Sequence, residues 1–124
     1  MGRIQRVACS QCGYQTELYT GGGLRDCHPE TALATAPNDQ SLAEALHRGA
    51  RFQIDRSIAV CGKCRKLLAV PYITYWPEGE ESRHTAAACP DCNNLLTRLS
   101  AAADSVSCPV CGRTLLLTQL GHWD

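Results

Sequence analysis

Eight of the nine cysteines in this 124-residue chain stand as four Cys-x-x-Cys pairs: Cys9/Cys12, Cys61/Cys64, Cys89/Cys92 and Cys108/Cys111. A two-residue gap lets one tight turn aim both sulfurs at a single ion, and two such turns complete a tetrahedral thiolate site. Four turns therefore predict two four-cysteine metal sites. Adjacent pairing is the preferred arrangement. It puts Cys9, Cys12, Cys61 and Cys64 in site 1, and Cys89, Cys92, Cys108 and Cys111 in site 2. Fifteen residues separate the turns of the second set and forty-eight those of the first. A loop's closure cost grows only logarithmically with its length, so the longer separation is tolerable. Two alternatives stay open. Cys61/Cys64 could join Cys89/Cys92 and leave the outer turns together, or the turns could interleave.

Composition favours a metal staple. A chain of this length forms one or two small domains, and seven aromatics give neither a large apolar core. Disulfides are the rival staple. The first residues lack the apolar stretch of a secretory signal, and no segment has the length of apolar sequence that crosses a bilayer. The expected setting is a reducing cytoplasm, where such pairs hold metal. The formal charge is zero, and ionised thiolates would carry a metal-loaded chain below it. That argues against diffuse nucleic-acid binding. The basic residues nevertheless cluster in 48–66, with Arg48, Arg51, Arg56, Lys63, Arg65 and Lys66 against Asp55 alone.

The elements that must position the sulfurs read as short strands. Arg3 to Tyr19 predicts two strands around the first turn, Phe52 to Val60 a strand into the second, and Lys66 to Trp76 a strand out of it. Pro71 confines that last strand to an edge or a bulge. Arg83 to Ala88 and Asn93 to Leu99 flank the third turn. Val106 leads into the fourth and Leu115 to Leu117 lead out, after a bend at Ala101 to Asp104. Residues 24–40 read as a long loop with Pro29 and Pro37. Ser41 and Glu44 match a capping box ahead of a helix over 42–48 that ends at Gly49, with Leu42, Ala45 and Leu46 buried. The fold class expected is a small metal-stabilised β-rich protein. Residues 1–76 form a first ribbon with an insertion at 20–52, 83–124 a second, and 77–82 the connecting turn.

A chain doubling back around an ion favours positive φ just after the second cysteine. Gly13 and Gly112 adopt it without steric cost and Asn93 tolerates it. Arg65 fits less well, and Gly62 is expected to carry the flexibility there.

The segments Cys9-Ser-Gln-Cys12-Gly13-Tyr14, Cys61-Gly-Lys-Cys64, Cys89-Pro-Asp-Cys92 and Cys108-Pro-Val-Cys111-Gly112 resemble the zinc-ribbon, or rubredoxin-like, fold group. The resemblance covers the turns and flanking strands, about half the chain, and implies two Zn ions. Members serve in transcription factors, ribosomal proteins, enzyme appendages and adaptors, so it specifies metal and fold more than function.

A closed four-thiolate zinc site has no open coordination position and activates no water. The reading is therefore non-enzymatic. Iron with single-electron transfer is one rival, and Cys61-Gly-Lys-Cys64 as a thiol redox motif is another. Redox pairs usually occupy a helix N-terminus, whereas β-type residues flank this one. Cys27, beside His28, reads as a loop thiol. A third site drawing on Cys27 with His28, His47, His84 or His122 would need partners that the spacing does not supply. Gly21-Gly22-Gly23 lacks the lysine and following helix of a phosphate loop and reads as a flexible or tight crossing.

Two function classes follow. One is a protein-interaction adaptor that uses exposed ribbon edges, with Trp76 and Trp123 as anchors, acting as a monomer or homodimer. The other is a nucleic-acid-binding ribbon that uses Arg48, Arg51, Arg56, Lys63, Arg65 and Lys66.

Overall fold

The computed structural model describes residues 2–99 and 106–123. The bend expected at Ala101 to Asp104 lies outside them.

Each cysteine turn sits where the chain doubles back. β1 (Gly2–Ala8) and β2 (Gln15–Thr20) flank the first turn, and β3 (Arg51–Cys61) and β4 (Lys66–Trp76) flank the second. β5 (Arg83–His84) and β6 (Thr97–Arg98) lie on either side of the third, and β7 (Leu116–Trp123) follows the fourth. Two antiparallel sheets result, in the orders β2-β1-β7 and β5-β4-β3-β6. The strand at the far end of the sequence thus completes the sheet begun by the first. β7 lies along β1 from Gly2↔Trp123 to Ala8↔Leu116. Pro71 lies on β4 opposite Arg56, outside the two-residue stretch, Thr74 and Tyr75, where β5 pairs with β4. Its missing amide donor therefore costs no ladder bond to β5.

Three small apolar clusters replace one large core. Val7, Leu18, Leu67, Val106 and Leu115 pack beside Cys9 and Cys108. Ala59, Tyr72 and Leu96 pack beside Cys61 and Cys89. The third cluster joins the helices to the β3–β4 hairpin through Ala32, Leu42, Ala45, Ile54, Ile73 and Tyr75. Among the described residues, two hydrogen-bonded links join the sheets. The Leu67 amide donates to the Tyr14 hydroxyl at 2.9 Å. Gly21 and Arg56 exchange backbone bonds of 2.8 and 2.9 Å. The glycine run is a close crossing, since a Cβ on Gly22 would lie 3.0 Å from the Ile54 carbonyl oxygen.

The helical region departs from expectation in two places. Residues 24–40 are not one loop. A 3-10 turn over Leu24–Cys27 leads into α1 (Pro29–Thr35). Pro29 occupies the first turn of that helix, where a missing amide hydrogen costs nothing and the fixed φ helps. The second helix, α2 (Gln40–His47), begins earlier than the capping box suggested. Asp39 is its cap and accepts from the Leu42 amide at 3.0 Å. The Ser41 hydroxyl instead accepts from the Tyr75 hydroxyl at 2.9 Å and from Arg83 at 2.8 Å, which fastens α2 to β4 and β5.

Candidate metal centres

The eight sulfurs gather into two groups. One holds Cys9, Cys12, Cys108 and Cys111, and the other Cys61, Cys64, Cys89 and Cys92, with all ligand atoms in each within 4.8 Å of one another. This corrects the adjacent pairing. The turns are nested, the outermost two sharing one site and the inner two the other. Each group takes one turn from either side of 77–82. Loop cost favoured the adjacent scheme, but summed over both sites the two schemes differ by only about 1 kcal/mol. Strand pairing outweighs that. The β1–β7 ladder carries Cys9 to the fourth turn, and the β3–β4 hairpin together with β5 and β6 carries Cys61 to the third.

The geometry suits a tetrahedral thiophilic ion. Across the outer group, Cys9 and Cys111 sulfurs are 3.4 Å apart and Cys12 and Cys108 are 3.5 Å apart. Across the inner group, the Cys61–Cys92 and Cys64–Cys89 separations are 3.5 and 3.9 Å. A tetrahedron with metal–sulfur bonds of about 2.3 Å has sulfur–sulfur edges of about 3.8 Å. A disulfide needs about 2.0 Å, and no two of the nine cysteines are joined in one. Four sulfurs fill a tetrahedron, so an ion held here keeps no position for water or substrate.

The backbone around each sulfur follows one template. The amide four residues after the first cysteine donates to that cysteine's carbonyl, as in Gly13 to Cys9 (3.2 Å), Arg65 to Cys61 (2.9 Å), Asn93 to Cys89 (2.8 Å) and Gly112 to Cys108 (2.9 Å). All four of these residues have positive φ: 80° at Gly13, 54° at Arg65, 61° at Asn93 and 80° at Gly112. The expectation that Gly62 would relieve Arg65 is corrected, since Gly62 is not among the positive-φ residues and Arg65 takes the left-handed conformation itself. A non-glycine residue bears a steric penalty there of about 1 kcal/mol. Replacing Arg65 by Gly should therefore leave the metal-loaded fold no less stable in chemical denaturation, whereas Gly13→Val or Gly112→Val should destabilise it by more than that amount.

The first cysteine of each turn is buried and the second is the more accessible. The acidities of the first cysteines and of Cys12, Cys64 and Cys111 split the same way. The amides of Cys12 and Gln11 point at the Cys9 sulfur and, with burial opposing, bring its thiol down to about 6. The Cys64 amide, 3.4 Å from the Cys61 sulfur, lowers Cys61 in the same manner. Burial raises Cys89 and Cys108, but the Cys92 and Cys111 amides help carry both below the ordinary thiol value. Among the second cysteines, the Tyr14 amide lowers Cys12, yet burial and the neighbouring sulfurs push it up to about 12. The Cys92 sulfur and burial push Cys64 up to about 12. Sulfurs favoured as thiolates by backbone amides, beside neighbours that hold their protons more tightly, form a donor set ready for a cation. A thiophilic ion would take over the role of the remaining protons.

The basic segment is divided by the fold. Arg48 and Arg51 lie at one end of the β3–β4 hairpin and Lys63, Arg65 and Lys66 at the other, about 33 Å apart for strands of this length. Arg51 stacks on Trp76, 5.1 Å from the ring centre. Arg56 pairs with the buried Asp26 carboxylate and lies 4.9 Å over Trp123. Burial raises the Asp26 carboxyl, but Arg56 and the Gly23 amide more than offset that and leave it below the usual carboxylate range. Lys66 pairs with Asp91 of the third turn. Lys63, Arg65 and Lys66 lie in or beside the second turn, whose four-thiolate metal complex would carry net negative charge. Trp123 donates its indole N–H to the Thr20 carbonyl at 3.0 Å and packs over Gly2, where a Cβ would fall 2.1 Å from the ring.

Cys27 is exposed and joins neither group, and among the described residues no histidine does. His84 instead shares a 3.0 Å hydrogen bond with Thr74. The chain matches no family model, no curated protein and no solved structure.

Proposed function

We propose that this is a non-enzymatic zinc-binding protein of the zinc-ribbon type, holding two structural Zn ions and acting as an adaptor for a protein partner. The observation that carries this reading is the completeness of each site: four sulfurs with separations of 3.4–3.9 Å across each group leave no vacancy for catalysis. The same closure assigns the cysteines to folding, so function falls to the surface. The most individual surface is a groove of about 550 Å³ between α2 and the end of the hairpin, lined by Arg48, Arg51, Trp76, Glu80 and Arg83. Trp76 supplies the flat apolar area that anchors interfaces, and the three arginines and three glutamates around it favour a polar-rimmed segment of little net charge.

The nucleic-acid alternative loses support from the division of the basic segment, because Arg56 and Lys66 are engaged internally and the remaining cations stand at opposite ends of a hairpin.

Elemental analysis should find two zinc per chain and no visible absorption, whereas a coloured, iron-containing protein would restore electron transfer. The metal-loaded chain should retain a protein partner after nuclease treatment, and Trp76→Ala should weaken capture about tenfold or more. Salt-sensitive retention of RNA or DNA, lost on Arg51→Ala or Lys63→Ala, would overturn the adaptor reading in favour of nucleic acid.

A further inference from the structure

β7 is an edge strand: its inner side pairs with β1, and among the described residues no strand pairs its outer side. Edges left to solvent are normally protected by charge, proline or brevity. β7 spans eight residues, and 114–123 contain no Asp, Glu, Lys, Arg or Pro. It also exposes two leucines, Leu116 (70 %) and Leu120 (43 %). Tyr19, 48 % exposed, extends the apolar surface on the same sheet. The opposite edge, β2, differs in carrying Glu17, which pairs with Arg6 across the sheet.

We propose that the β7 edge binds a second copy of this chain, β7 against β7, antiparallel about a two-fold axis at Thr118. The strand is its own complement in that register. Leu116 falls opposite Leu120 of the second copy, Leu120 opposite Leu116, and Thr118 opposite itself. Side chains directly opposite in an antiparallel pair lie about 4.5–5.5 Å apart and stabilise it when apolar. Two-fold pairing uses the same patch on both chains, as a closed dimer requires. An uncharged strand offers nothing to select a charged peptide, which favours a self-complementary occupant. A register shift between Ile4 and Gln5 leaves Leu120 as the extra residue of a bulge on β7. The regular stretch is therefore short, and the dimer is a weak one, in the micromolar range. Two three-stranded sheets become one of six strands. The Trp76 groove, on the other sheet, is not part of this interface, so the proposal is independent of which protein that groove engages.

Sedimentation velocity on the metal-loaded chain, from micromolar to submillimolar concentration, tests it. The native chain should show a reversible monomer–dimer equilibrium. Leu116→Lys alone and Leu120→Glu alone should each weaken it about tenfold or more. The double variant, which places Lys opposite Glu in the proposed register, should recover most of the loss and become salt-sensitive. Both leucines are exposed, so metal content should stay unchanged. Should either variant lose metal, amide exchange in native β7 gives a second measurement, with protection rising as concentration rises. A native chain monomeric throughout, a dimer indifferent to the single changes, a double variant weaker than either single one, or β7 exchange independent of concentration would each overturn the proposal.

Discussion

A chain in which Cys9, Cys12, Cys108 and Cys111 are all replaced by Ser should keep one metal ion, while replacing Cys9, Cys12, Cys61 and Cys64 should leave none. The first variant empties the outer site and spares the inner. The second removes half of each, and two sulfurs do not hold a structural ion. Adjacent pairing predicts the reverse order, so counting ions by native mass spectrometry separates the schemes with no intermediate outcome. The expected change is large because a structural zinc site contributes roughly 10–16 kcal/mol of apparent binding energy at neutral pH, most of it coupled to folding. The one-ion variant should also keep part of its fold. Its hairpin retains the cluster with α1 and α2 and the cluster around Cys61 and Cys89. It loses the cluster around Cys9 and Cys108 that underlies the β2-β1-β7 sheet. Amide exchange should accordingly accelerate in β1, β2 and β7 and stay slow in β3 and β4.

Stripping both ions with a strong chelator at neutral pH should abolish the native fold and leave a chain that refolds when zinc is returned. The three apolar clusters are small, and among the described residues four of the eighteen buried apolar side chains are cysteines of the sites themselves. Removing the ions turns those four positions from anchored ligands into buried thiols beside one another. Native amide dispersion in a nuclear magnetic resonance spectrum should collapse on chelation and recover on stoichiometric zinc. Acid should do the same, because protons compete for thiolates. Thiols such as Cys9, lowered to about 6 by backbone amides, resist protonation to lower pH than free cysteine would. A metal-free chain that stays folded, with the sulfurs joined in disulfides, would contradict this.

Much of the site was legible in the sequence because its chemistry is local. A Cys-x-x-Cys turn is defined within six residues, and the positive φ at Gly13, Gly112 and Asn93 follows from the same turn. At Arg65 the repeated backbone template outweighs a side-chain preference of about 1 kcal/mol, so residue type alone misleads there. What escaped was non-local. Which turns meet depends on β7 lying along β1, a contact between the two ends of the chain that no spacing rule encodes. Loop entropy pointed elsewhere with too little energy to decide. The first helix is hidden because proline marks loops and helix starts alike, and Pro29 is a helix start. The capping box at Ser41 was a pattern match displaced by Asp39, two residues upstream, while Ser41 served a tertiary contact. The basic run 48–66 looked like one patch only because sequence proximity ignores that a long hairpin carries its two ends far apart.

Four cysteine sulfurs should enclose each ion. X-ray absorption at the metal edge of the fully loaded chain tests it most directly. The predicted result is two ions per chain, each with four sulfur neighbours at about 2.3 Å and no lighter ligand. An oxygen or nitrogen in the first coordination sphere, or fewer than four sulfurs per ion, would contradict it.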